Sequence, residues 1–158
     1  MFTLGYLAVW AAFSAAVVAA QWGLERVGVL TGMMQIGSGS VAGVVLILAG
    51  LYQLTPLKQA CLRHCQNPLL FLVHHWRAGH RGALRMGSEH GVFCLGCCWF
   101  LMALLFVGGI MNLIWIAGLA LYVAFEKLAS NRPWLMNAAG WILVSAGIFL
   151  LARPQLAA

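Results

Sequence analysis

The sequence is poor in charge. Only 8% of its 158 residues are Asp, Glu, Lys or Arg, three of them acidic, whereas 63% are hydrophobic. A soluble domain needs far more charge to cover its surface, so this composition excludes an ordinary soluble protein. We expect one all-α integral membrane domain over residues 1–158, built as a polytopic bundle of transmembrane helices.

Signatures of several other protein classes are also missing. The chain has no helix-turn-helix or RNA-binding signature, so its net charge of +6 does not indicate a nucleic-acid partner. It has no phosphate-binding glycine loop and no nucleophile–base arrangement, which argues against an enzyme. The first apolar run lacks the marks of a cleavable signal peptide, so we interpret it as the first membrane span. Five cysteines, an odd number, do not indicate a secreted disulfide framework.

Five apolar segments are candidates for membrane spans, since a bilayer core needs roughly 20 helical residues. The spans are expected at residues 4–24, 41–57, 91–107, 110–125 and 134–152. Residues 58–89 then form one long polar loop. Within it, the apolar stretch 69–76 is too short to cross and is expected to lie at the membrane interface. Gly108 and Gly109 break the chain between the third and fourth spans.

The distribution of cations predicts the orientation. Seven of the nine Lys and Arg residues lie in the loops after the second and fourth spans, whereas Arg26 and Arg153 lie on the opposite side. Because basic loops stay in the cytoplasm, we expect the loop 58–89 and the N-terminus to be cytoplasmic, in a bacterial inner membrane. The expected surroundings are the lipid bilayer and either a homo-oligomer or a partner in a membrane complex.

Sulfur and imidazole side chains are concentrated in two clusters near the ends of this loop. The first cluster contains Cys61, His64 and Cys65. The second contains His90, Cys94, Cys97 and Cys98, and Met86 extends it by one turn. Spacings of three, four, seven and eight residues place the members of each cluster on one helical face. The expected topology places both clusters near the cytoplasmic boundary, with Glu126 at the same depth.

These residue types indicate a metal site. Thiolates and imidazoles suit Cu(I) or Zn(II), and Cys/Met-rich sites favour Cu(I). We therefore predict that a subset of the clustered residues binds copper or zinc, and that the protein handles, carries or helps to assemble that metal. Two alternatives stay open. Cys94 and Cys97 form the Cys-x-x-Cys pattern of a thiol–disulfide oxidoreductase. In the second alternative, the chain is a structural subunit of a membrane complex, and its thiols serve only as packing residues.

The same motifs carry a resemblance to a known family. They are residues 52–65, 82–87 and 90–99, followed by 106–113 and by Glu126-Lys127. Together they resemble the bacterial family labelled predicted metal-binding integral membrane protein, a domain of unknown function. The resemblance covers residues 5–127, and it implies a membrane protein that binds metal. Similar proteins begin with further hydrophobic helices, so the resemblance implies an N-terminally short member.

Overall fold

The computed structural model describes residues 1–30, 35–66, 72–73, 76–128 and 133–152. Helices account for nearly all of these residues. They are α1 (Phe2–Arg26), α2 (Gly39–Leu54), α3 (Pro56–Gln66), α4 (Gly79–Ala103), α5 (Leu105–Gly108), α6 (Leu113–Leu128) and α7 (Pro133–Ala152). No strand occurs in these ranges, where β pairing is limited to one isolated bridge between Leu30 and Ile36. The all-α class expected from the sequence is confirmed.

Several helices are long and apolar enough to cross a membrane. Within the described ranges they are α1, the stretch Gly79–Gly108 and the stretch Trp134–Ala152, and α2 with α3 qualifies as one bent pair. The chain therefore has three or up to four candidate spans by length and composition, against five expected. The difference is α6, whose 16 residues fall short of the roughly 20 that a bilayer core needs.

The chain divides into two compact units. The first contains Met1–Ala20 and Pro56–Cys98, and the second contains Gln21–Thr55 and Trp99–Ala158. In the first unit α1 packs on α4 through small residues. A side chain on Gly5 would meet the carbonyl of Leu84, and one on Gly91 would meet Val9 at 3.1 Å. Glycine allows such close helix approach, as is typical of membrane helices.

The second unit is organised by the antiparallel pair α2 and α7. Gly43 lies opposite Gly147 and Gly50 lies opposite Gly140; a Cβ on Gly50 would lie 2.7 Å from the Gly140 carbonyl oxygen. The helices can pack this closely only because both positions lack side chains. Beside this pair, Leu46 belongs to a buried apolar cluster with Ala49, Leu101 and Leu104.

Helix boundaries differ from the expected spans where polar residues are helical. Helix α4 begins at Gly79, inside the segment predicted as a loop, and α3 occupies the beginning of that segment. Helix α5 ends at Gly108, and Gly109 adopts φ 86°, a conformation that glycine reaches without strain. The predicted interfacial segment 69–76 lies largely outside the described residues, as do Arg132 and Arg153.

Candidate metal centre

One face of α4 carries a continuous row of sulfur and imidazole side chains. Its members are Met86, His90, Cys94, Cys97 and Cys98. All five are only 2% to 7% exposed. Val92, on another face of the same helix, is 56% exposed. Residues three and four apart share a helix face, so the spacing of these residues directs all of them to the buried side.

The thiols of Cys97 and Cys98 turn back toward their own helix. Both donate to the backbone carbonyl oxygen of Cys94, at 2.9 Å from Cys97 Sγ and 3.2 Å from Cys98 Sγ. Such bonds to the preceding turn are common for small polar side chains in helices. Here they bring two sulfur atoms to one backbone carbonyl oxygen.

Helix α3 brings a further thiol to this row. The Cys65 side chain is 8% exposed, and its thiol lies near those of Cys94 and Cys97. The Cys97 thiol also contacts that of Cys98. Four thiols from two helices therefore form one buried group, which we call the thiol cluster: Cys65, Cys94, Cys97 and Cys98.

The other two residues of the first predicted cluster occupy different surroundings. Cys61 is half-buried, and its Sγ lies 3.1 Å from the position that a Cβ on Gly96 would take. His64 is exposed; its Nδ1 lies 2.9 Å from the Ala60 carbonyl oxygen, and its ring stacks on Phe93. Of the first predicted cluster, only Cys65 joins the second cluster. Cys61 packs against Gly96, and His64 is exposed.

Helix α1 covers the N-terminal part of the row. The rings of Phe2 and Tyr6 lie near the His90 ring, with centroid separations of 5.9 and 6.0 Å. The Tyr6 hydroxyl lies 3.5 Å from Cys94 Sγ. Tyr6 was not among the candidates from sequence, since a tyrosine in an apolar helix gives no signal of contact with a cysteine 88 positions away.

The thiols contact one another without surrounding a common point. Across the residues that the structure describes, no three His, Cys, Asp or Glu side chains are arranged to hold a metal ion. Two of the thiols, those of Cys97 and Cys98, are directed to the Cys94 carbonyl oxygen. A metal ion would replace the thiol protons, since cysteine ligates as the thiolate.

Glu126 belongs to the second unit and has polar neighbours of its own. Its carboxylate is buried and accepts hydrogen bonds from the Gln53 amide and, at 3.3 Å, from the Tyr122 hydroxyl. Gln53 is 1% exposed and also donates to Tyr122. The sequence prediction missed Gln53, because a single amide in an apolar run does not reveal a partner on another helix.

Comparison with known proteins gives one match. The model of a family described as PpoB2, copper chaperone, matches residues 1–150. Neither the curated proteins nor the solved structures contain a match to the chain. The family match is consistent with the metal-related family resemblance seen in the sequence, and it indicates copper handling. Because the match extends over nearly the whole sequence, the chain belongs to the PpoB2 copper chaperone family.

Proposed function

We propose that this protein is a membrane-embedded copper chaperone that carries Cu(I) on the thiol cluster. The observation that carries the proposal is the contact of Cys65 on α3 with Cys94 and Cys97 on α4. Two helices separated in sequence supply thiols to one buried place. A family whose members are described as copper chaperones needs such a place, since thiolates are the protein ligands that select Cu(I).

The family match favours copper over zinc, since four thiols are a donor set that zinc also accepts. A structural zinc site takes four ligands in a closed tetrahedron, whereas Cu(I) is stable with about two or three thiolates. Cys65, Cys94 and Cys97, whose thiols lie near one another, are the proposed ligands of such a low-coordinate site. Low coordination also suits a carrier, because an incoming thiolate can join the metal before an existing one leaves.

Copper binding is coupled to deprotonation of the cysteine thiols. The Cys97 and Cys98 thiols donate their protons to the Cys94 carbonyl. Each thiol that becomes a ligand must lose its proton, so copper binding releases protons and weakens as the pH falls. When a thiol leaves, the Cys94 carbonyl oxygen still has a donor, because it also accepts a backbone hydrogen bond within its own helix.

Burial of the thiols supports carriage rather than disulfide chemistry. Catalytic and redox-sensing cysteines sit in partially exposed, electropositive surroundings. The side chains of the thiol cluster are only 2% to 8% exposed. This burial limits the access of oxidants to the sulfur atoms and leaves room only for a small ligand such as a metal ion.

The proposed setting is the bacterial inner membrane, with the thiol cluster near its cytoplasmic face. Large apolar side chains exposed on α1 and α7 support lipid contact, among them Leu7, Val18, Trp22, Trp141 and Phe149. Isolated in water, such a surface would aggregate. The partner is a copper-requiring protein or a second copy of the chain in the same membrane, reached by thiolate exchange.

The test is a titration with Cu(I). Protein purified in detergent without a His-tag, under reducing and anaerobic conditions, is titrated in competition with a coloured Cu(I) chelator. Wild type should withdraw copper from the chelator, and the Cys97→Ser/Cys98→Ser variant should withdraw much less at the same chelator concentration, because it has lost two of the four clustered thiols. Serine keeps a hydroxyl donor for the Cys94 carbonyl, so the local fold is retained while the soft ligands are lost.

The matched control is Val92→Ala, a change on the exposed side of the same helix. It should bind copper as wild type does. Wild type that leaves the chelator fully loaded, or a double serine variant that binds copper as tightly as wild type, would overturn the proposal.

A further inference from the structure

The row on α4 extends beyond the thiol cluster by two soft or borderline donors that the proposed function does not use. Met86 and His90 lie two turns and one turn before Cys94 on the same face. They are 2% and 7% exposed. A thioether and an imidazole are both ligands for copper.

The spacing suits one ion between successive members. Side chains four residues apart on a helix lie about 5–6 Å apart at Cβ, and two histidines at that spacing hold a single metal in the zinc metalloprotease helix. Met86 with His90 makes one such pair, and His90 with Cys94 makes the next. Each step advances about 6 Å along the helix axis.

Helix α1 encloses this part of the row. A Cβ on Gly87 would collide with the Phe2 backbone carbonyl, and one on Gly91 would press against Val9. The two glycines thus allow α1 to close over α4 at the level of His90. Phe2 and Tyr6 present aromatic rings beside the imidazole, and aromatic faces attract a cation in a place that excludes water.

We infer that Met86 and His90 form a second, weaker Cu(I) station that loads the thiol cluster through Cys94. The inference rests on the proposed function. Copper stays Cu(I) throughout. The Cys94 thiol releases its proton to solvent as its sulfur bonds to the ion held by Met86 and His90, and the bond from copper to the Met86 thioether breaks. Cys94 then shares the ion with Cys65 and Cys97.

The station is tested in a protein whose stronger ligands are removed. In the background Cys65→Ser/Cys97→Ser/Cys98→Ser, one Cu(I) should still bind, with both nitrogen and sulfur scatterers in its X-ray absorption spectrum. Adding Met86→Leu, which preserves shape, should remove a sulfur scatterer and lower the affinity by at least about 10-fold. Adding His90→Gln should remove the nitrogen scatterer.

A second measurement uses the intact thiol cluster. Stopped-flow transfer of Cu(I) from a chelator should be slower in Met86→Leu than in wild type, while the final amount of bound copper stays the same. Val92→Ala should load at the wild-type rate. Loading of Met86→Leu at the wild-type rate, or loss of all copper in the triple serine background, overturns the station alone. Failure of wild type to bind copper at all overturns the proposed function.

Discussion

Substituting Cys65 by serine is the most direct test of how the two helices share copper. Cys65 is the member of the thiol cluster that lies on α3, and its thiol lies near those of Cys94 and Cys97. Serine has nearly the same shape and keeps a polar hydrogen at this position. The substitution therefore removes a soft ligand while it leaves the contact between α3 and α4 in place.

The size of the expected effect follows from the proposed role of Cys65 as a direct ligand. Groups that only orient a metal ligand contribute about 10- to 100-fold to metal affinity. Loss of a ligand itself should exceed that range, so we expect Cys65→Ser to weaken Cu(I) binding at least about 100-fold, or roughly 2.8 kcal/mol. The dissociation constant is measured by competition with Cu(I) chelators of graded strength.

Cys61→Ser is the matched control for this experiment. Cys61 lies on the same helix one turn earlier, but its sulfur packs against Gly96. It should keep its copper affinity within about threefold of wild type, less than 1 kcal/mol. Equal losses in the two variants would refute the view that contact with Cys94 and Cys97 selects Cys65 as the α3 ligand.

Three further predictions concern the rest of the molecule. Gly50→Ala should lower the free energy of unfolding by about 1–3 kcal/mol, because its Cβ would collide with α7. Gly118→Ala is the control and should leave the free energy of unfolding unchanged, since a Cβ there meets no neighbouring atom within 4 Å. Thermal unfolding in detergent measures both variants. Gln53→Leu removes the amide donor to the buried Glu126 carboxylate and should cost about 1.5–3 kcal/mol; equal stability of Gln53→Leu and wild type would contradict this. His64→Ala should weaken Cu(I) binding by less than about 10-fold, since the ring stacks outside the cluster; a larger loss by chelator competition would make His64 a ligand.

The register of α4 is the part of the candidate site that the sequence predicts best. The spacing of Met86, His90 and Cys94 requires a shared face in any helix, and the structure places that face on the buried side. The beginning of α4 at Gly79 was not predicted, because polar residues between Gly79 and Glu89 hide the helix from a hydropathy criterion. Charges such as Arg85 and Glu89, four residues apart and paired at 3.1 Å, support a helix without raising its hydropathy.

The spacing could not show which residue of the first predicted cluster joins the second. Cys61, His64 and Cys65 share one face at i, i+3 and i+4, yet the structure gives them three different surroundings. A helix face is broad, and only tertiary contact decides which part of it is covered. Gly96 has no side chain and so leaves room for Cys61. The Phe93 ring stacks with His64 outside the thiol cluster.

The pairing of Gln53 with Glu126 was hidden for a related reason. The two residues are 73 positions apart, and each lies near the end of a separate apolar run. Burying a carboxylate among apolar side chains is costly unless hydrogen bonds compensate it. A buried glutamate therefore predicts that a donor exists, but the sequence does not say which helix provides it.

The Cys94 carbonyl oxygen is a hydrogen-bond acceptor for the thiols of Cys97 and Cys98. In the proposed carrier, Cys97 or Cys98 leaves that oxygen by rotation about its Cα–Cβ bond among staggered positions. Such a rotation has the fast rate of side-chain motion. Exchange with a partner also requires access to thiols that are only 2% to 8% exposed.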